Sequence, residues 1–265
     1  MDTKYWGPSG WRLLHLITFT YEPHTKSASA VAKLFRALPF VLPCKFCRSS
    51  LHQYMEDEPL EPALKSRDAL TRWLFKIHNL VNGKLRGQRL LREKDPPFDS
   101  VKKIYEERIE AGCTRPPTAG KGTEFEGWEF LFSIAENHPH CMAAKNSTPV
   151  DCPPNPPKDA TDGQKNQWNV LSPGDRMKYY EDFWDCMAAA LPFKEWRDAW
   201  ASCGEAIDTE SRASMLKSLW SVRHCIEQKL ELVNRNTFQG VCKELKEHRS
   251  GCGKKKRAKT CRKTR

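Results

Sequence analysis

The chain has 265 residues, 39% of them hydrophobic, and a negative mean hydropathy of −0.70. That length suits one or two domains, and no apolar run approaches the ~20 residues needed to span a bilayer. The net charge of +11 would invite a nucleic-acid partner, but residues 254–265 hold eight Lys or Arg and no acid, so the basicity belongs mainly to a tail.

Residues 1–6 lack the long apolar core of a secretory leader, which places the expected protein on the cytosolic side. Eleven cysteines are many for such a chain, and the number is odd. In that compartment they point to metal binding or redox chemistry before a disulfide scaffold. A zinc site would need a second close Cys/His pair after Cys47, and none follows at a suitable distance.

Taken in order, residues 11–21 read as a helix with Trp11, Leu14, His15, Thr18 and Phe19 on one face. Residues 27–40 give a second helix through Ala28, Val31, Leu34, Phe35 and Leu38, which Pro39 and Pro43 are expected to interrupt. Pro43-Cys44-Lys45-Phe46-Cys47 follows, with a third helix starting near Cys44. A cysteine at a helix N-terminus is favoured as thiolate, because the dipole presents partial positive charge there. Ser66 is the expected N-cap of a fourth helix, whose buried stripe is Leu70, Trp73, Leu74, Ile77 and Val81. His78 and Asn82 are four apart and share a face, with Asn79 beside them. That flat polar edge suits hydrogen bonding to a planar heterocycle. The expected fold class is all-α.

Trp6-Gly7-Pro8-Ser9-Gly10-Trp11, His15, Tyr21, Cys44-x-x-Cys47 and His78-Asn79-x-x-Asn82 come in an order that resembles the flavin-linked sulfhydryl oxidases of the Erv/ALR family, most of all those of large DNA viruses. The resemblance covers roughly residues 5–105. It implies FAD as cofactor, Cys44 as the interchange sulfur, and Cys47 as the sulfur lying against the flavin ring. Gly7, Trp11, His15, Tyr21 and Trp73 would then contact the cofactor, together with His78, Asn79, Asn82, Lys84 and Tyr105. Dithiol proteins and molecular oxygen would be the reaction partners, and hydrogen peroxide the product. Two departures stand out. Phe75 and Ser100 occupy the places of a common structural disulfide, so packing must replace that bridge. An insertion over residues 86–97 displaces the basic residue expected at the flavin's pyrophosphate, leaving Arg89, Arg92 and Lys94 as alternatives.

An internal repeat follows a linker at residues 112–123. Leu42-Pro43-Cys44-Lys45-Phe46-Cys47-Arg48 recurs as Leu191-Pro192-Phe193-Lys194-Glu195-Trp196-Arg197. Ser66-Arg67 through Lys84-Leu85 recurs as Ser211-Arg212 through Lys229-Leu230. Both redox cysteines are replaced, and His78, Asn79 and Asn82 become Arg223, His224 and Glu227. The pattern resembles the quiescin oxidases, in which an active Erv module is joined to a degenerate copy. The expected layout is therefore an oxidase domain at 1–111, the linker, a degenerate Erv-like helical domain at 124–245 and a basic tail at 246–265. Association through a homodimer or within one chain as a pseudo-dimer is implied, with no membrane.

A proline-rich loop is expected at residues 149–157. Cys141, Cys152, Cys186, Cys203, Cys225 and Cys242 are candidates for structural disulfides; the spacings of Cys186 to Cys203 and of Cys225 to Cys242 suit bridges, as do other pairings. Cys252 and Cys261 in the tail are candidates for the shuttle disulfide that the resemblance implies. The competing reading is a basic helical interaction protein that holds nucleic acid through this tail.

Overall fold

A computed structural model describes residues 1–113, 125–141, 159–167, 170–204, 207–232 and 236–249. Among these residues the regular structure is all helix, and no helix is long and apolar enough to cross a membrane. The first half comprises α1 (Thr3–Phe19), α2 (Lys26–Val41), α3 (Lys45–Asp57), α4 (Arg67–Gly87) and α5 (Phe98–Glu110). Asp2 caps α1 by accepting from the Lys4 N–H at 3.0 Å, and Ser66 caps α4 through the Ala69 N–H at 3.1 Å. Leu70, Trp73, Leu74 and Ile77 form the buried stripe of α4, whereas Val81 is only half-buried.

Pro39 does not interrupt α2, which continues to Val41. The missing N–H costs one helical bond, and the buried run of Val31, Leu34, Phe35, Leu38 and Val41 outweighs it. Pro43 has no N–H to offer the Pro39 carbonyl. That carbonyl is instead satisfied from the other half of the chain, where Asn166 Nδ2 donates to it at 2.8 Å. Between α4 and α5, Phe75 meets Phe98 edge to face at 5.3 Å, and the Arg72 guanidinium lies 4.2 Å from the Phe98 ring centroid. Aromatic packing thus holds the place where a disulfide is missing.

The second half comprises α6 (Trp128–Glu136), α7 (Asp162–Gln167), α8 (Pro173–Ala190), α9 (Lys194–Cys203), α10 (Arg212–Lys229) and α11 (Phe238–Glu247). Several local bonds occur in both halves. Arg48 Nη1 donates to the Leu42 carbonyl at 2.8 Å, and Arg197 Nη1 donates to the Leu191 carbonyl at 2.8 Å. Ser211 caps α10 through the Ser214 N–H at 3.1 Å, as Ser66 caps α4. Lys84 reaches Ser50 at 2.6 Å, and Lys229 reaches Ser202 at 2.7 Å.

The halves share one core. α2 lies along α8, α1 crosses α6, and Phe40 stacks on Tyr179 at 3.7 Å. The crossing of α1 and α6 is close. A Cβ at Gly10 would come within 2.9 Å of the Phe130 ring, and one at Gly127 (φ 121°) within 2.7 Å of the Leu13 side chain. A disulfide joins Cys203 at the end of α9 to Cys225 on α10, with Cα atoms 5.7 Å apart. This corrects the spacing argument. α9 and α10 are adjacent along the chain and pack together, so their cysteines face each other, whereas Cys186 is buried on α8 with its thiol on the Phe183 carbonyl. Burial pushes the Cys186 thiol up to about 12.

Candidate functional site

Cys44 is the N-cap of α3, and its Sγ accepts from the Cys47 N–H at 3.4 Å. The pair therefore sits on the first turn of a helix, where unsatisfied N–H groups favour negative charge on sulfur. Arg48 comes next in sequence and is only 2% exposed. Burial and the neighbouring Arg176 lower its pKa to about 9, and the charges of Cys44 and Cys47 act the other way. α3 packs against both α2 and α4, which sets the sulfurs on a helix adjoining the one that carries His78.

His78 is one of four rings that three helices bring together. Trp11 on α1 stacks on His78 of α4, with centroids 3.8 Å apart and planes 10° from parallel. His15 Nε2 lies 3.1 Å from His78 Nδ1, a hydrogen bond that requires one ring to donate and the other to accept. Tyr105 of α5 stacks on His15 at 5.1 Å and on Phe19 at 5.2 Å. Burial, with the adjacent His78, depresses His15 to about 3. Burial depresses His78 to about 4, partly opposed by Asp95. Both imidazoles are consequently neutral at pH 7. His15 Nδ1 is buried with no hydrogen-bond partner.

Gly7 lies one turn before Trp11 on α1, and a Cβ there would meet nothing within 4 Å. Open space thus continues along the helix face that carries the rings. Asn79 and Asn82 are half-buried on α4, and Asn82 Nδ2 donates to Asp95 at 2.8 Å. A neutral aromatic patch with an unpaired buried nitrogen and amides at its edge fits a planar heteroaromatic cofactor.

Two further expected contacts make hydrogen bonds within the protein. The Tyr21 hydroxyl donates to the Leu64 carbonyl at 2.8 Å, and Trp73 Nε1 donates to the Glu58 carbonyl at 2.9 Å while its ring meets Phe35. Both side chains serve the core. Near Asn82, Arg86 pairs with Asp95 through both arms. Arg86 and Asp95 escaped the sequence because their meeting depends on how the insertion folds back. Arg48 carried a signal, since its motif recurs at Arg197.

In the second half, the Arg223 guanidinium lies 5.5 Å from Trp128, 6.0 Å from Phe132 and 5.5 Å from Trp220. Its Nε donates to the buried Glu227 at 2.9 Å. An ion pair wrapped in aromatic rings thus occupies the face of α10. The linker is mostly outside the described residues, as are the proline-rich loop, Cys152, and the tail with Cys252 and Cys261.

The chain is 26% identical over 119 residues to the "Putative FAD-linked sulfhydryl oxidase 096R" of Invertebrate iridescent virus 3, covering 44% of this chain and 79% of that protein. It is 30% identical over 87 residues to the mitochondrial FAD-linked sulfhydryl oxidase ERV1 of Saccharomyces cerevisiae, covering 32% of this chain and 45% of the other. It is 32% identical over 85 residues to a "Probable FAD-linked sulfhydryl oxidase" of Acanthamoeba polyphaga mimivirus, covering 31% of this chain and 59% of the other. The matched segment thus spans about half the length of the last two relatives. No solved structure matches the chain significantly. The profile of the Erv1 / Alr family matches residues 8–106, the segment that holds the Cys44–Cys47 turn and all four stacked rings.

Proposed function

We propose that this protein is an FAD-dependent thiol oxidase that forms disulfides in dithiol substrates and reduces molecular oxygen to hydrogen peroxide. The observation that carries the reading is the cluster of Trp11, His15, His78 and Tyr105, kept neutral by burial, in the same domain as a cysteine pair at a helix N-terminus. The family match and the three relatives' names support it. When bound, FAD supplies a two-electron acceptor that passes its electrons to oxygen.

The chain's own part is thiol–disulfide exchange. A substrate thiolate attacks Cys44 Sγ of the oxidised pair, forming a mixed disulfide and releasing Cys47 as thiolate. The substrate's second thiolate then displaces Cys44, so one disulfide has moved from enzyme to substrate and the pair holds two electrons. The helix N-terminus and the buried Arg48 stabilise the leaving sulfurs. Trp11, His15, His78 and Tyr105 exclude water and offer ring faces, and Asn79, Asn82 and Lys84 supply polar edges.

The second half is, in this reading, a degenerate copy that packs against the first as a subunit would. The paired bonds at Arg48 and Arg197, and at Ser66 and Ser211, support it, as does the apposition of α2 with α8 and of α1 with α6. Cys252 and Cys261 form its shuttle. His248 accepts from the Asp2 N–H at 2.8 Å, and the Met1 nitrogen lies 3.3 Å from the Pro43 carbonyl. The root of the tail is therefore about 10 Å from the start of the redox helix, and four residues of chain reach up to about 14 Å.

The test is direct. Purified protein should be yellow, with flavin absorbance released on denaturation, and should consume oxygen with dithiothreitol. Colourless, inactive protein after FAD supplementation would end the reading. Removing residues 250–265 should slow oxidation of a reduced protein far more than that of dithiothreitol; equal effects on both would end the shuttle assignment.

A further inference from the structure

Asn82 and Arg86 converge on a single carboxylate, Asp95, delivered by the insertion between α4 and α5. Asn82 Nδ2 lies 2.8 Å from Asp95 Oδ1; Arg86 Nη1 reaches the same oxygen at 2.9 Å, and Nη2 binds Oδ2. Arg86 first, and Asn82 with it, hold Asp95 below the usual carboxylate range against the opposing effect of burial, so it is ionised at neutral pH. An ionised carboxylate can only accept hydrogen bonds. The end of the Asn82 amide facing Asp95 must therefore be its NH2, and chemistry settles an orientation that is otherwise ambiguous for an asparagine. The amide oxygen is turned away from Asp95. Asn82 lies one turn beyond His78 on the same face of α4, and the charge of Asp95 is felt at His78.

We propose that Asp95 is a positioning residue of the cofactor site, locking the Asn82 amide so that Oδ1 is offered to an N–H donor on the edge of a planar heterocycle. The proposal rests on the flavin reading above. An amide free to flip would offer NH2 as readily as C=O, and half of its orientations would set donor against donor. Arg86 has both arms engaged, which makes it the support that keeps Asp95 ionised and in place.

The experiment is a double-mutant cycle read by FAD affinity, with apoprotein titrated by flavin fluorescence. The wild type is compared with Asp95→Ala, Asp95→Asn, Asn82→Ala and the Asp95→Ala/Asn82→Ala pair. Asp95→Ala should weaken FAD binding by about tenfold or more, whereas the same change in the Asn82→Ala background should cost less than about threefold, because the two residues act as a unit. Asp95→Asn keeps an acceptor oxygen and should fall between. A merely structural role for the Arg86–Asp95 pair predicts the same loss in both backgrounds, and that result would overturn the proposal. So would Asp95→Ala binding within about twofold of the wild type. If thermal melts of the apoproteins show Asp95→Ala to be unfolded, the isosteric Asp95→Asn carries the cycle. Failure of the wild type to take up flavin would remove the functional reading and this proposal with it; uptake with no effect at Asp95 removes the proposal alone.

Discussion

The two halves make the same local bonds around different contents. In each, an arginine one turn into a helix ties back to a leucine carbonyl, and a serine caps the long helix that follows. Between these shared parts, α1 and α4 of the first half hold Trp11 against His78, whereas α6 and α10 of the second hold Arg223 among Trp128, Phe132 and Trp220. Beyond the shared lysine-to-serine bonds, α3 and α4 are linked by a weak bond from the Tyr54 hydroxyl to the Leu80 carbonyl at 3.5 Å, whereas α9 and α10 are linked by a covalent bond from Cys203 to Cys225. The lesson is that the helical frame does not depend on the chemistry it encloses. Where the first half holds neutral rings and an unpaired buried nitrogen, the second holds an ion pair beside a cavity of about 270 Å³ that Tyr5, Trp128, Phe132, Arg223 and Glu244 line.

The largest test of that contrast is at the sulfurs. Cys44→Ser and Cys47→Ser should each lower dithiothreitol oxidation by about a thousandfold or more, as expected when a nucleophile is removed. Both variants should still hold flavin, since the ring cluster is untouched. Oxygen-electrode rates alongside flavin absorbance separate the two effects, and activity near wild type in either variant would remove the assignment.

A transplant is nearly as severe. His78→Arg with Asn82→Glu places the contents of the second half in the first, burying a charged pair where neutral groups stand. Flavin content per chain should fall from one to near zero. The reverse exchange, Arg223→His with Glu227→Asn, should add no second flavin, because Phe132 and Trp220 remain. Two flavins per wild-type chain would show the contrast to be misread.

Acid should unbalance the halves in a way that can be assigned. His15 and His78 titrate at about 3 and about 4 in the folded protein, below the ordinary value of 6.5. The unfolded chain therefore takes up protons first, so their contribution is complete above pH 6.5 and is lost as pH falls toward 4. Each imidazole contributes a slope of up to about 1.4 kcal/mol per pH unit, or roughly 4 kcal/mol for the pair between pH 7 and 5. Urea titrations of the apoprotein should show this loss, and His15→Phe/His78→Gln should flatten it. An unchanged slope in that variant would exclude the two histidines as its source.

The smallest expected effect is at the disulfide. Cys203→Ser with Cys225→Ser opens a loop of 22 residues, which should cost about 2 to 3 kcal/mol of stability. Flavin affinity should stay within a factor of two, since the staple lies in the other half. A loss of flavin equal to the loss of stability would mean that the halves unfold together before the cofactor leaves.

Local chemistry was legible in the chain and contacts across it were not. Ser66 could be read as a helix cap, and Cys44 placed near a helix start, because such signals are written within three or four residues. His78 and Asn82 could be placed on one face for the same reason. Pro39 misled because a rule about isolated helices ignores what the buried face of α2 gains from packing. The bonds of Tyr21 to the Leu64 carbonyl and of Trp73 to the Glu58 carbonyl join partners distant in sequence. The pairing of Cys203 with Cys225 and the meeting of Asp95 with Arg86 both depend on how helices and insertions come to rest. No spacing encodes that.

The bond from Asn166 to the Pro39 carbonyl has a consequence for heredity. Pro43 lies just before the Cys44–Cys47 turn and strips Pro39 of its helical partner, so the half that carries the Cys-x-x-Cys pair is completed by a residue of the half that lacks one. A lineage that deleted the second half would leave a bare carbonyl and the apolar flank of α2 facing water directly behind Cys44. The half without a redox pair is therefore shielded from loss by selection on its neighbour, and remains free to vary everywhere except where the neighbour leans on it.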